Sequence, residues 1–328
     1  MDLQKAYDSI QWVFLEQLLR ALEFPAPFIK WIMVGLTTVS HQINLNGCLT
    51  EPFNGGKGLR QGDPISPFLF VICMEYLRRL MRGLKDDTQF KFHPKCAVLG
   101  ITHLVFADDL LFFCKGDLKS TTALMDMFER FSKTSGLIAN CPKSEIYFSG
   151  VKQEVKERIL EVSGLQEGLL PFRYLGVPLN GKRLSITQFQ PLLEKMIGKV
   201  THWTSRLLSY GGRLQLVNSV LYAIQQYWSR IFLFPKKVMR AIEGICRRFL
   251  WSGEAGESMK SPIAWDSLCR SKKEGGLTLI HLPTSNKVAF LKLLWAINNK
   301  EDKLWIKWLH TITYKINSWW KEQVIGIL

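Results

Sequence analysis

The sequence predicts an α+β region followed by an all-α region. Strand and helix signals alternate through residues 1–180, and helical periodicity takes over from about Ser185. With 47% hydrophobic and 22% charged residues and no low-complexity tract, the composition is that of a packed globular chain. A length of 328 residues suffices for about two domains with a sizeable core.

Each element has its own signal. Ile10, Val13, Phe14, Leu18, Ala21 and Leu22 recur at helical spacing, predicting a helix from Ser9, as N-cap, to Phe24. A second helix is predicted from near Pro27 to about Val39. HQINLNG (41–47) alternates like a strand and turns at Asn46-Gly47. FNGGKGLRQGDPISPFLF (53–70) is a glycine-rich loop leading into a helix, with Ser66 as cap and Pro67 in the first turn. From Phe68 to Leu84 that helix is apolar nearly all round until Arg78, so burial on every side is expected. Gly100–Cys114 predicts two short strands meeting at Asp108-Asp109, flanked by Leu104, Val105, Phe106, Leu110, Leu111 and Phe112 as buried residues. An amphipathic helix is expected over 117–136 and a strand or hairpin at RYLGVPL (173–179). The helical remainder breaks at Tyr210-Gly211-Gly212, at Pro235 and over 252–262.

The formal net charge is +15, unevenly spread. Residues 1–180 hold 20 Lys and Arg against 19 Asp and Glu, whereas residues 181–328 hold 23 against 9. Tryptophan follows: Trp12 and Trp31 come early, and the other nine start at Trp203. Interleaved basic and aromatic residues suit a phosphate backbone with stacked bases, and equally suit solvated helix faces over a Trp-rich core. The seven cysteines form no CxxC pair, no zinc spacing and no compact disulfide framework, and an odd number leaves one over. Reduced thiols without disulfide partners in an intracellular protein are therefore expected. No signal region follows Met1, and no stretch reaches the roughly 20 apolar residues of a membrane span.

FADDLLFF (106–113) sets two acids side by side between apolar runs. Two carboxylates about 4 Å apart repel by ~1 kcal/mol in water and ~4 kcal/mol at an effective dielectric of about 20. A divalent cation removes that penalty, and hard oxygen ligands on a rigid hairpin suit Mg²⁺. Paired aspartates also occur in ordinary turns, so the dipeptide alone leaves both readings open.

Taken together, several segments narrow the choice. MDLQKAYD at the start, GLRQGDPISPFLF (58–70) and LVFADDLLFF (104–113) resemble the polymerase-palm motifs of reverse transcriptases, most closely the non-LTR, LINE-type retrotransposon enzymes common in plant genomes. GLIANCPKS (136–144) and YLGVPL (174–179) resemble the two motifs that follow in that family. LSYGGRLQLVNSVL (208–221), FLWSG (249–253) and the stretch from AWDSLC to KKEGGLTL (264–279) resemble its thumb and downstream segment. The resemblance covers nearly the whole chain. It implies a truncated palm over 1–182, a helical thumb-like region over 183–253 and a basic, Trp-rich C-terminal helical segment over 254–328.

Residue by residue, the resemblance makes Asp2 and Asp108 the principal metal ligands and Asp109 the third carboxylate, holding two Mg²⁺ ions, with Mn²⁺ as a substitute. One metal lowers the pKa of a primer 3′-hydroxyl, and the other neutralises charge on the leaving pyrophosphate. Tyr7 falls where the family places a bulky side chain beneath the incoming sugar, a steric selection for deoxynucleotides; a plain core aromatic is the alternative. Asp8 is expected to make a structural hydrogen bond. Arg60, Gln61 and Gly62 match the loop beneath the nascent base pair, where glycines 55, 56, 58 and 62 let backbone amides approach a ligand. Lys143 matches a lysine that protonates pyrophosphate as a general acid. Tyr174, Leu175 and Gly176 match the primer-grip hairpin. Arg213, Arg206, Lys236, Lys237, Arg247 and Arg248 are candidates for phosphate contact, or else solubilising surface charge.

The implied activity is RNA-directed DNA synthesis from dNTPs on an RNA template and a DNA primer, with a nuclear site of work. The chain begins one residue before Asp2. The resemblance therefore leads to the expectation that endonuclease and fingers are missing and that the α-ammonium, with a pKa of about 7.7–8.0, competes with metal for Asp2. Weak Mg²⁺ affinity and little unaided polymerisation follow. The alternative is a catalytically inactive nucleic-acid-binding remnant of such an element, or a relic with no selected role.

Overall fold

The computed structural model describes residues 1–181, 183–204, 208–253 and 262–313. They divide into two compact units, one of Met1–Leu169 with the described residues from Trp308, the other of Leu170–Lys307. Helices predominate throughout, with small two-stranded pairings between them.

In the first unit, helices α1 (Ala6–Ser9), α2 (Trp12–Ala21) and α3 (Ala26–Thr37) precede four two-residue strands, β1 (Ser40–His41), β2 (Asn44–Leu45), β3 (Cys48–Leu49) and β4 (Phe53–Asn54). β2 and β3 pair around Asn46-Gly47, both at positive φ (51° and 90°), the left-handed turn that an Asn-Gly pair favours. β1 pairs with β4 outside them. Helix α4 (Ser66–Gly83) leads to the hairpin β5 (His103–Phe106) and β6 (Asp109–Phe112). Helix α5 (Leu118–Ser135) follows, capped by the Asp117 side chain, which accepts from Ser120 N at 2.9 Å. Strand β7 (Glu145–Ile146), helix α6 (Gln153–Ser163) and strand β8 (Gln166–Glu167) complete the unit, β7 and β8 running parallel. Its core joins Leu15 and Leu19 of α2, Leu69, Leu77 and Met81 of α4, Leu110 of β6 and Phe131 of α5.

Four local expectations need correction. The predicted helix from Ser9 breaks at Ile10-Gln11, because Ile10 is drawn fully inside and its carbonyl accepts from Gly58 N, while Gln11 N donates to Ser135 O. Tertiary pairing outbids helix continuation there, and Ser9 caps nothing; its hydroxyl donates to Gln4 O. Ser66 does not cap α4 either. An Asx turn at Asp63 sets the start instead, its side chain taking Ile65 N and its carbonyl Ser66 N. Helix α4 buries one face only, since Phe68 and Val71 are 70% and 66% exposed. Along the β5–β6 hairpin, Leu110 is buried but Leu104, Val105 and Phe106 are exposed and Leu111 and Phe112 half-buried, because only one face of a two-stranded ribbon has helices against it.

The second unit opens with the hairpin β9 (Phe172–Tyr174) and β10 (Val177–Leu179), turning at Leu175-Gly176. Helix α7 (Gln190–Thr204) follows. Helix α8 (Tyr210–Leu216) starts where Ser209 accepts from Gly212 N, and runs through a π-helical stretch, Val217–Leu221, into α9 (Tyr222–Ser229). Helix α10 (Lys236–Ser252) begins directly after Pro235. Helices α11 (Trp265–Leu268) and α12 (Leu282–Asn298) follow, and α13 (Leu304–Thr313), which from Trp308 belongs to the first unit, ends the described chain. Phe189, Met196, Leu221, Ile242, Phe249 and Leu282 centre the core, and Trp228 and Trp265 are buried with them. Buried Asn286 spends its whole side chain on backbone, accepting from Phe234 N and donating to the Ser229 and Phe232 carbonyls.

Candidate active site

The chain start is not a loose end. Met1–Gln4 lies as an extended segment between β6 and residues 138–140. Toward β6, Leu110 N donates to Met1 O at 2.8 Å, Leu3 N donates to Asp108 O at 3.2 Å, and Asp2 forms an antiparallel bridge with Asp109. Toward the other side, Gln4 N donates to Ile138 O, Asn140 N donates to Asp2 O, and Leu3 bridges Ala139. Residues directly opposite in an antiparallel pair carry their side chains on one face, with Cβ atoms about 4.5–5.5 Å apart. The Asp2 and Asp109 carboxylates therefore share a face, both half-buried. Asp108 is exposed in the two-residue turn, next to Ala107, whose φ of 51° is left-handed and strained for a residue with a Cβ.

Burial pushes the Asp109 carboxyl above its ordinary value, and the neighbouring Asp108 and Asp2 charges add to it against the pull of the Met1 ammonium. That ammonium donates to Leu110 O at 2.8 Å, and burial lowers its pKa despite Asp109, Asp2 and Glu145. Backbone pairing thus holds negative charge together.

Helix α1 and the glycine-rich loop form the adjoining wall. Leu59 N donates to Tyr7 O, Gly58 N to Ile10 O and Trp12 Nε1 to Gly58 O. A Cβ on Gly58 would sit 2.8 Å from Asp8 O at a φ of 90°, so this glycine is there for close approach to α1. The expectation that its amide meets a ligand gives way to that packing. Asp8 Oδ1 accepts from Gln61 Nε2 at 3.5 Å. Arg60, Gln61 and Gly62 are exposed, and the Tyr7 ring stacks on Phe70, centroids 5.1 Å apart. Lys143, exposed, ends a 3-10 turn whose first neighbours tie to Asp2. Asn140 Nδ2 donates to Asp2 Oδ2 at 3.2 Å, and Ser144 Oγ accepts from Asp2 N at 3.1 Å. Neither residue stood out in the sequence, because only the fold brings 140–144 beside residue 2.

The remaining candidates belong to the second unit. Leu175 O at the β9–β10 turn accepts from Tyr227 OH at 2.7 Å. Arg213 is half-buried, donating to Trp251 O at 3.2 Å, and the Arg247 guanidinium lies 6.0 Å from the Trp265 ring centre. Arg248 is half-buried, whereas Lys236 and Lys237 are exposed in the first turn of α10. Arg206 lies outside the described residues.

Residues 1–179 match the family described as reverse transcriptase (RNA-dependent DNA polymerase). The chain belongs to the reverse transcriptase family. The matched span carries both the aspartates and the β9–β10 hairpin. The chain is 25% identical over 259 residues to the transposon TX1 uncharacterized 149 kDa protein of Xenopus laevis, covering 77% of this chain and 19% of the relative. A retrovirus-related Pol polyprotein from a type-2 retrotransposable element of Drosophila melanogaster is 29% identical over 171 residues, 51% of this chain and 15% of the relative. A putative ribonuclease H protein of Arabidopsis thaliana is 27% identical over 129 residues, 39% of this chain and 21% of the relative. The chain spans about a fifth of the length of these curated relatives.

Reverse transcriptases generally use a divalent metal. The donor set here fits one in chemistry: Asp2, Asp108 and Asp109 are hard oxygen ligands, and the Asp109 carboxyl is raised first by burial and then by the Asp108 and Asp2 charges, against the Met1 ammonium. Among the described residues no three His, Cys, Asp or Glu side chains stand close enough together to hold an ion as they are. No helix among the described residues is long and apolar enough to cross a membrane.

Proposed function

We propose that this chain is the RNA-directed DNA polymerase region of a LINE-type retrotransposon protein, joining dNTPs to a DNA primer on an RNA template. The palm is assigned to residues 1–182, the thumb to 183–253 and a basic C-terminal segment to 254–328. The observation that carries the reading is the Asp2–Asp109 bridge, which supports a shared cation site for two acids from remote parts of the sequence.

Asp2, Asp108 and Asp109 would hold two Mg²⁺ ions, for which Mn²⁺ would substitute, and ions held there would supply the charge that eases deprotonation of the primer 3′-hydroxyl and departure of pyrophosphate. The chain does the rest by positioning. Tyr7, braced by Phe70, excludes a ribose 2′-hydroxyl; Arg60, Gln61 and Gly62 lie along the base pair and template; Lys143 donates a proton to pyrophosphate. Tyr174, Leu175 and Gly176 grip the primer, and Arg206, Arg213, Lys236, Lys237, Arg247 and Arg248 attract the phosphate backbone. The element works in the nucleus.

Primer extension on an RNA template with a Mg²⁺ titration tests this. Incorporation that requires Mg²⁺ and disappears in Asp108→Asn is expected. Salt-sensitive template–primer binding with no extension would instead favour a catalytically inactive nucleic-acid-binding remnant.

A further inference from the structure

We propose that Asn140, braced by Ser144, is a positioning residue that holds the Asp2 carboxylate by one oxygen and leaves the other turned to a divalent cation. The inference rests on the metal-binding role of Asp2.

Three bonds converge on Asp2 from one short segment. Asn140 N donates to Asp2 O at 2.8 Å, Ser144 Oγ accepts from Asp2 N at 3.1 Å, and Asn140 Nδ2 donates to Asp2 Oδ2 at 3.2 Å. The Ser144 hydroxyl, 1% exposed, donates in turn to Asn140 O at 2.8 Å, closing a ring that includes both residues' backbones. The first two bonds already fasten the strand. The third adds nothing to strand pairing; it acts on the carboxylate.

The donor type matters. A carboxylate has two oxygens with about four acceptor sites, so an amide can occupy one oxygen and leave the second free. A Lys or Arg in the same place would orient Asp2 equally well but would cancel its charge and compete with the cation. A neutral amide orients the carboxylate without neutralising it. The α5–β7 connection therefore supplies both the proposed proton donor, Lys143, and the group that aims a ligand.

Mn²⁺ binding to the full 328-residue chain, followed by electron paramagnetic resonance, tests the inference without requiring turnover. Asn140→Leu keeps the branched side-chain outline and removes the amide; Asn140→Ala is the second variant should the larger leucine disturb folding. Each should weaken Mn²⁺ binding by about ten-fold, and in primer extension should raise the Mg²⁺ midpoint by the same factor, with the rate recovering at saturating Mg²⁺. Binding within two-fold of the parent in both variants, while Asp2→Asn binds poorly, overturns the role of Asn140 and leaves the metal site standing. A lowered extension ceiling at an unchanged Mg²⁺ midpoint overturns it too, marking a structural role. If Asp2→Asn and Asp108→Asn bind Mn²⁺ like the parent, the metal-site reading fails first.

Discussion

Asp109 faces Asp2 across a single antiparallel bridge, and its carboxyl is held above its ordinary value by burial and by the charges of Asp108 and Asp2. Removing that charge should relieve the metal-free protein. Asp109→Asn is expected to gain up to about 1 kcal/mol once solvent screening is allowed for. Mg²⁺ at about ten times its Kd should stabilise the parent by ~1.4 kcal/mol and the variant by less. Thermal melts with and without Mg²⁺ measure both; a variant that melts lower than the metal-free parent contradicts the crowding.

Tyr7 stacks on Phe70 at an interplanar angle of 11°, so its ring is fixed rather than free to swing aside. If it excludes a 2′-hydroxyl, Tyr7→Ala should raise ribonucleotide over deoxynucleotide incorporation by about ten-fold or more, while Tyr7→Phe keeps the parent's selectivity. Equal ratios in parent and Tyr7→Ala would leave the ring a core aromatic only.

Gly58 and Gly47 both have a φ of 90°, but only Gly58 has backbone where a Cβ would go. Gly47→Ala should cost about 1 kcal/mol of conformational strain. Gly58→Ala should cost about 2–4 kcal/mol, because the added carbon forces the loop off α1. Comparable melting temperatures for the two variants would show that the α1 contact is slack.

Glu75 is held at about 2, well below the usual carboxylate range, chiefly by hydrogen bonds from Arg78 and Arg79. A depressed acid stabilises the fold above its ordinary value of 4.5, and that contribution is lost as pH falls toward about 2. Glu75→Gln should therefore be less stable than the parent at pH 7, by up to about 1 kcal/mol because the pairs are solvent-screened. The gap should close between 4.5 and about 2. Denaturant titrations at three pH values suffice; a gap independent of pH would assign the loss to packing.

Lys236 and Lys237 are exposed in the first turn of α10, adding charge to the positive end of a helix dipole. If they meet template–primer phosphates, Lys236→Gln and Lys237→Gln should each reduce the salt dependence of binding by about one unit of slope, with no change of sequence preference. An unaltered slope would make them solubilising charges.

Local chemistry was legible wherever it was self-contained. Asn46-Gly47 and Leu175-Gly176 turn, and Pro235 precedes a helix, because each conformation is settled by the residues that adopt it. The ordered motifs likewise carry the family. The site was legible as residue types at intervals, since paired acids between apolar runs mean little until a partner is found. The resemblance named Asp2 as that partner, but only the insertion of Met1–Gln4 between β6 and residues 138–140 brings it there, a pairing of segments whose contact no local periodicity encodes. The same insertion recruited Asn140 and Ser144, ended the predicted first helix at Ile10 and spent Gly58 on α1. Sequence by itself determined which turns, caps and acids were available. Tertiary structure decided which backbone groups they met, because every buried N–H and C=O must find a partner, and for Leu3, Gln4, Gln11 and Gly58 that partner lay far along the chain.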